Sequence, residues 1–359
     1  MDLITDAMEM VDHLHHPAFC VRQGIIVKVN PAGAARMIEA GTAVADILQT
    51  GHEEYTAFRS GCLYLSLRLG TDVAGASVTA KKDFHLFVLE PESEQSELRA
   101  LALAARELRE PLTGIMITTD SLFPKAVPVT AEKREMMGRI NRELHQMLRL
   151  ISNMSDAAGF CTDSGARQEI RDIRSIICET VEAACSLAES TGITFAFQAV
   201  SEPVFGLVDA PKLERAIYNM ISNALKFTPD AGTVEISLRR RKSMLSFSVQ
   251  DSGCGVADNL RSSIFSRYCR EPGVEDGRHG LGLGLVLVRS AAALHGGTVL
   301  IDQPENSGTR ITMTLQIRES AGMELRSPVL RVDYAGERDH GLLELSDILP
   351  THLYTPEKS

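Results

Sequence analysis

The sequence predicts an α+β chain of several domains, and three observations carry that prediction. Short apolar runs broken by turn dipeptides fill residues 12 to 90. Two heptad seams separated by prolines follow over 94–160. Beyond them, helix and strand patterns alternate around an ordered set of Asn, Lys, Asp and Gly positions. A chain of 359 residues is long enough for two or three domains, each burying its own core. The expected boundaries are 1–91, 92–160 and 161–319, with a C-terminal extension over 320–359.

In the first unit, Ala18–Arg22 and Ile25–Val29 flank Gln23-Gly24 as a hairpin. Asn30-Pro31 starts a short helix through Ile38, with Asn as N-cap and Pro at the first helical position. Cys62–Leu69, Val73–Ala80 and Phe84–Leu89 follow as strands, separated by Gly70-Thr-Asp72 and Lys81-Lys-Asp83. This pattern resembles a PAS domain. It carries no flavin-attachment cysteine motif and no convincing haem ligand, so the resemblance implies either a sensor or an unliganded, dimer-building module.

Leu98, Leu101, Ala105, Leu108, Leu112, Ile115, Thr119 and Leu122 recur at alternating three- and four-residue steps, which is a heptad seam. A second seam runs Met137, Ile140, Leu144, Met147, Ile151, Met154 and Ala158. Pro124 and Pro128 break the chain between them, so two antiparallel helices are expected. One hairpin leaves an apolar stripe exposed. A second copy buries it as a four-helix bundle, and a homodimer follows.

The third unit holds the chemistry. Asn219, Asn223 and Lys226 share a helix, Asp251-Ser-Gly253-Cys-Gly255 ends a strand, and Gly280-Leu-Gly282-Leu-Gly284 opens another helix. Asn223 offers the hard amide oxygen that Mg²⁺ accepts while keeping waters and phosphate oxygens. Lys226, one turn on, sets a point positive charge near phosphates. Asp251 can accept a hydrogen bond from an exocyclic amine such as that of adenine. Gly253 and Gly255 let the backbone come close to a flat ring. The glycines before Leu285 leave free helix N–H groups facing an anion. Together these residues predict a site for ATP with Mg²⁺. No Walker-type Gly-X-X-X-X-Gly-Lys-[Ser/Thr] occurs, and the last glycine cluster follows the loop Glu271–His279 instead of a strand, which excludes a Rossmann site.

With these residues in place, the chain resembles the bacterial sensor histidine kinases. Leu213–Pro229 is similar to their N box, Asp251–Gly255 to the G1 box, Ile264-Phe265-Ser-Arg-Tyr268 to the F box and Gly280–Gly284 to the G2 box. The resemblance spans about residues 95–318 and implies the Bergerat α/β sandwich, with a mobile lid between the F and G2 boxes. It implies a nucleotide-contact set of Asn219, Asn223, Lys226, Asp251, Gly253, Gly255, Phe265, Tyr268, Gly280, Leu281, Gly282, Leu283, Gly284 and Thr309. Related ATPases of the gyrase and heat-shock type carry a Glu base four residues before the Mg²⁺ ligand. Here that position is Asn219, whose amide cannot take a proton, so phosphoryl transfer to protein or plain nucleotide binding fits better than water activation.

The hairpin departs from the family. Ala105-Arg106-Glu107-Leu108-Arg109-Glu110-Pro111-Leu112 aligns with the H box, with Arg106 at the histidine position. A guanidinium stays protonated and has no lone pair to attack a γ-phosphate. Glu107, by resemblance the base that assists the histidine, is present, and the resemblance groups it with Asn219 and Lys226 as catalytic. Glu110 replaces the Thr used for phosphatase action. The phosphoacceptor is therefore unassigned; His145, read as an exposed residue of the second helix, is one candidate.

Net charge −10 argues against nucleic acid and anionic membrane as partners. Arg239-Arg-Arg-Lys242 reads as a solvated hairpin tip. Arg289 and His295 interrupt the most apolar run, so no membrane span is expected. Met1–Val11 carries Asp2, Asp6 and Glu9, unlike a signal peptide. Seven cysteines without Cys-X-X-Cys spacing fit a reducing cytoplasm. Cys254 reads as a small residue in a tight turn, and His13, His15 and His16 as an exposed turn. In the C-terminal extension, Ser327–Tyr334 is a candidate strand, and Leu342, Leu343, Leu345, Ile348 and Leu349 an amphipathic helix packing on its own domain. The reading is a cytoplasmic, dimeric, ATP-binding protein of two-component phosphorelay, transferring phosphoryl from ATP to protein. The alternative is an inactive relative, a nucleotide-gated scaffold acting on a response regulator or a partner kinase.

Overall fold

Gln23 and Gly24 both take positive φ, 50° and 80°, the requirement of a two-residue turn matched to strand twist. They close the hairpin of β1 (Ala18–Arg22) and β2 (Ile25–Val29), as the sequence predicts. The computed structural model describes residues 10–90, 93–122, 130–159, 168–257, 264–265, 282–304, 308–318 and 339–355. Asn30 caps α1 (Pro31–Ala34), its Oδ1 accepting from Gly33 N at 2.7 Å and from Ala18 N at 3.0 Å. The helix stops at Ala34, short of the expected Ile38. Met37 turns left-handed (φ 59°) and the chain folds back so that Ile38 enters the core. Two further short helices, α2 (Val44–Ile47) and α3 (His52–Ala57), were not foreseen.

Strands β3 (Cys62–Leu69), β4 (Asp72–Ala80) and β5 (His85–Leu89) complete a five-stranded antiparallel sheet ordered β2-β1-β5-β4-β3. Its core packs Phe19 and Phe87, stacked at 4.6 Å, among Leu63, Leu65, Leu67 and Val78.

Two long helices follow, α4 (Ser93–Leu122) and α5 (Ala131–Gly159), packed as the expected hairpin. Pro111 lies inside α4, where its missing N–H removes one helical hydrogen bond. Each seam divides into two faces. Ala105, Leu112 and Met116 bury against Leu144, Leu148 and Ile151. Leu108 and Ile115 stay 51% and 51% exposed, and Ile140 and Met147 40% and 49%.

Five further strands form the second half of the sheet: β7 (Thr194–Gln198), β9 (Thr233–Arg241), β10 (Met244–Asp251), β11 (Val299–Asp302) and β12 (Arg310–Gln316). β7 and β9 pair in parallel and the others antiparallel. Helices α6 (Ile173–Ala188), α7 (Ala210–Phe227) and α8 (Gly284–Leu294) pack on this sheet; a ribbon of β6 (Glu169–Asp172) and β8 (Phe205–Val208) lies beside them. Ile177, Ile217 and Met220 meet Val234, Ile236 and Phe247 in its core.

The two half-sheets are one. Tyr64, Leu63 and Cys62 of β3 pair with Val299, Leu300 and Ile301 of β11, giving a ten-stranded sheet across residues that the sequence divides between two domains. Arg289 of α8 ion-pairs with Glu90 and lies over the Tyr64 ring at 5.2 Å, and Tyr64 donates to Glu90 Oε1 at 2.9 Å. The C-terminal α9 (His340–Glu344) and the turn Thr351–Tyr354 pack on α5 and α7. The expected strand Ser327–Tyr334 lies outside the described residues.

Candidate functional site

Helix α7 exists because Asp209 caps it, accepting from Lys212 N at 3.2 Å, and because Leu213, Ala216, Ile217, Met220 and Ile221 form one apolar face. Asp209 is fixed in turn by His295, whose Nε2 accepts the Asp209 N–H at 3.0 Å while its Nδ1 bonds Ala291 O at 2.7 Å. An accepting Nε2 requires the proton on Nδ1. Burial lowers the His295 pKa, and the ring is neutral.

The helix register places Asn219, Asn223 and Lys226 along one line. Asn219 is buried, its amide donating to Arg215 O at 2.8 Å. Its Oδ1 lies 3.0 Å from where a Cβ on Gly284 would stand, so the absence of a side chain there brings the first turn of α8 against Asn219. The expected N box and G2 box therefore touch. Leu283 is buried at the N-cap of α8, and Gly282 has φ 71°.

Asp251 ends β10 and is only 5% exposed. Its Oδ1 accepts from Gly253 N at 2.8 Å and from Thr309 N at 3.2 Å, and its own N–H donates to Thr309 O at 2.9 Å. Burial pushes the Asp251 carboxyl up, and the two backbone donors oppose that shift. The loop presses hard on its neighbours. A Cβ on Gly253 would lie 2.2 Å from Phe227 O at the end of α7, and one on Gly308 1.9 Å from Asp251 O. The chain thus brings Asp251, Gly253, Thr309 and the end of α7 into one cluster. Phe265 is buried elsewhere, with its ring 5.7 Å from Tyr64 on the joint between the half-sheets. Tyr268, Gly280 and Leu281 lie outside the described residues.

Lys226 already has a partner. Its Nζ lies 2.9 Å from Asp347 Oδ2 in the C-terminal extension, and burial and Arg149 lower its pKa. On the hairpin, Arg106, Glu107 and Glu110 are exposed along α4. His145 is not exposed as expected. It is 2% exposed, its Nδ1 bonds Asn141 O at 2.7 Å, and its ring packs on Tyr354 at 5.2 Å. The heptad position faces outward from a bare hairpin, but the C-terminal turn covers it.

Sequence reasoning missed Arg149, Arg215, Glu344 and Asp347. The available signal was an arginine on each apolar helix face and an acidic pair three residues apart within an amphipathic tail.

Two family profiles match the chain: "Histidine kinase-, DNA gyrase B-, and HSP90-like ATPase" over residues 208–319, and "His Kinase A (phospho-acceptor) domain" over residues 96–158. Hybrid signal transduction histidine kinase D of Dictyostelium discoideum is 31% identical over 268 residues, covering 68% of this chain and 17% of its own length. Sensor protein DivL of Caulobacter vibrioides is 30% identical over 262 residues, covering 70% of this chain and 33% of its own length. Histidine protein kinase DivJ of the same organism is 31% identical over 225 residues, covering 61% and 37%. The chain therefore spans well under half the length of these relatives. The solved structure of full-length ShkA in complex with AMPPNP superposes with a TM-score of 0.51 at 26% identity, covering 62% of this chain and 47% of that one.

Proposed function

Because the chain belongs to the sensor histidine kinase family, we propose that it binds ATP and acts in two-component signalling. The observation that carries this reading is the cluster of Asp251, Gly253 and Thr309 against the end of α7, continuous with Asn219 and Gly284. In this reading Asp251 accepts from the adenine amine, using the carboxylate oxygen that Gly253 and Thr309 leave unbonded. Gly253 and Gly255 let the chain after Asp251 pack against Phe227 and Gln303, which shapes the pocket for the ring. Asn223 supplies an amide oxygen to Mg²⁺, Lys226 meets the phosphates, and Gly282 to Gly284 present backbone N–H groups to them. Bound Mg²⁺ neutralises charge on the phosphates. The donor set fits: one neutral oxygen ligand, one ammonium and a helix N-terminus suit a hydrated ion on a triphosphate.

The superposable ShkA structure holds AMPPNP, which supports the nucleotide assignment. The exposed apolar stripe Leu108, Ile115, Ile140 and Met147 supports a homodimer through α4 and α5. The five N-terminal strands with their short helices support a PAS-like sensor domain over 1–91. A response regulator or a partner kinase fits the output. No helix among the described residues is long and apolar enough to cross a membrane. An ATP-dependent role supports a cytoplasmic site of action.

A second reading rests on Arg106. Arg106 cannot accept a phosphoryl group, and His145 is buried beneath Tyr354, so a nucleotide-gated scaffold is the alternative to a phosphotransferase. Radiolabelled ATP separates the two. The wild type is expected to take no acid-labile, alkali-stable label, and Arg106→His to take weak label with Glu107 as its base. Label on the wild type overturns the scaffold reading; an unlabelled Arg106→His places the defect in the nucleotide unit as well.

A further inference from the structure

Three cations and three carboxylates meet where the C-terminal extension crosses the hairpin and the nucleotide unit. Arg149 belongs to α5, Arg215 and Lys226 to α7; Glu344 and Asp347 belong to the extension and Asp156 to α5. Asp347 is the pivot, its Oδ2 2.7 Å from Arg149 Nη1 and 2.9 Å from Lys226 Nζ. Glu344 is fully buried, 3.3 Å from Arg215 Nε and 3.6 Å from Arg149 Nε. Arg215 also pairs with Asp156 and donates to Asn153 Oδ1 at 2.6 Å, while Arg149 donates to Ser222 Oγ at 3.0 Å. Further anchors fall on α5, where Asn141 donates to Tyr354 O at 3.0 Å and Gln146 to Ser346 O at 3.1 Å, and on α7, where Tyr218 packs on His340 at 5.4 Å. Tyr354 is fully buried and donates its hydroxyl to Leu342 O at 2.8 Å.

We propose that residues 340–354 compete with the nucleotide phosphates for Lys226, so that docking of this segment and binding of ATP oppose each other. The proposal rests on the nucleotide reading of α7 given above. A carboxylate and a phosphate are both oxygen anions, and one buried ammonium serves both. A triphosphate brought to Lys226 leaves Asp347 facing like charge in a site of low dielectric, where repulsion is strong. Burial alone would raise the Asp347 carboxyl, but Arg149 and Lys226 outweigh it and hold it below its ordinary value, so Asp347 is a charged competitor. Helix α9 has five residues, far fewer than an isolated helix needs to persist. It is held by docking, and losing the Asp347 contact favours its release as an order-to-disorder step. Because the segment touches α5 and α7 together, release also loosens the nucleotide unit from the hairpin.

The test uses the intact chain and Mg²⁺-ATP. Asp347→Asn removes the competing charge, and Tyr354→Ala undermines docking at the far end of the segment, away from Lys226. Calorimetry should find ATP bound about tenfold tighter by Asp347→Asn and about fivefold tighter by Tyr354→Ala, within the usual range of coupling between sites. Linkage makes the effect reciprocal, so saturating ATP should speed amide exchange over residues 340–354 of the wild type. Wild-type binding with unchanged or weaker affinity in both variants, or greater protection of 340–354 on adding ATP, overturns the competition and leaves the nucleotide site standing. No binding by the wild type or by either variant overturns the nucleotide reading, and the competition with it.

Discussion

Asp251 and His295 each hold a backbone N–H in place, and each gives a measurable outcome. Asp251→Asn keeps the shape but replaces a charged acceptor by an amide, whose oxygen must serve Gly253 and Thr309 as well as the ligand. Titration calorimetry should show ATP affinity weakened by about 1.5–3 kcal/mol, the scale of a hydrogen bond to a charged group. His295 acts on stability. Burial lowers its pKa and Arg318 and Lys212 add to the shift, while the Ala291 carbonyl and Asp209 oppose it. The unfolded chain therefore takes up a proton before the folded one as pH falls below about 6.5. Stability from this residue is fully present above that pH and is lost below it. Urea unfolding from about pH 7.5 to about pH 5.5 should show a steeper acid loss in the wild type than in His295→Gln, whose amide oxygen can take the Asp209 N–H but does not titrate in this range.

Among the elements, α4 and α5 carry the clearest forecast. Leu108 lies on the face left open by the hairpin, so in the proposed dimer Leu108→Glu would place an unpaired carboxylate in the seam, at a cost of several kcal/mol. Light scattering should find a dimer for the wild type and a monomer for the variant; a wild-type monomer contradicts the bundle. Elements of this kind were legible because their signals are local. The Gln23-Gly24 turn, the Asn30-Pro31 start, the heptads and the apolar face of α7 all act within a few residues of sequence. The helices α2 and α3, four and six residues long, are shorter than the window in which periodicity registers. Asn219, Gly253, Gly284 and Asp251 were legible as a set because their order along the chain repeats a known arrangement. Asp347 was not: its partners Lys226 and Arg149 lie 121 and 198 residues away.

For the whole molecule, the joint between the half-sheets ties the N-terminal unit to the nucleotide unit. It includes three paired residues on each strand, the Arg289–Glu90 ion pair, the exposed Lys242–Glu53 pair and the Tyr64 ring between Arg289 and Phe265. Arg289 is nearly buried and Glu90 partly exposed, so Arg289→Ala should weaken the joint by about 1–3 kcal/mol. Amide exchange in Cys62–Tyr64 and Val299–Ile301 should then quicken ahead of exchange in β9 and β10; uniform quickening across the sheet would show that the two halves open only together. This joint was invisible in sequence because both partner strands look complete within their own units, and nothing in an alternating pattern says which edge stays open.

Joining β3 to β11 has one more consequence. A strand whose outer N–H and C=O groups lack partners is a ready template for another strand, including one from an identical molecule, and growth of that kind has no natural end. Here each half covers the edge that the other would leave bare. The N-terminal unit thus occupies the edge that the nucleotide unit would otherwise expose, and a fragment lacking residues 1–91 would offer Val299–Asp302 to its own copies.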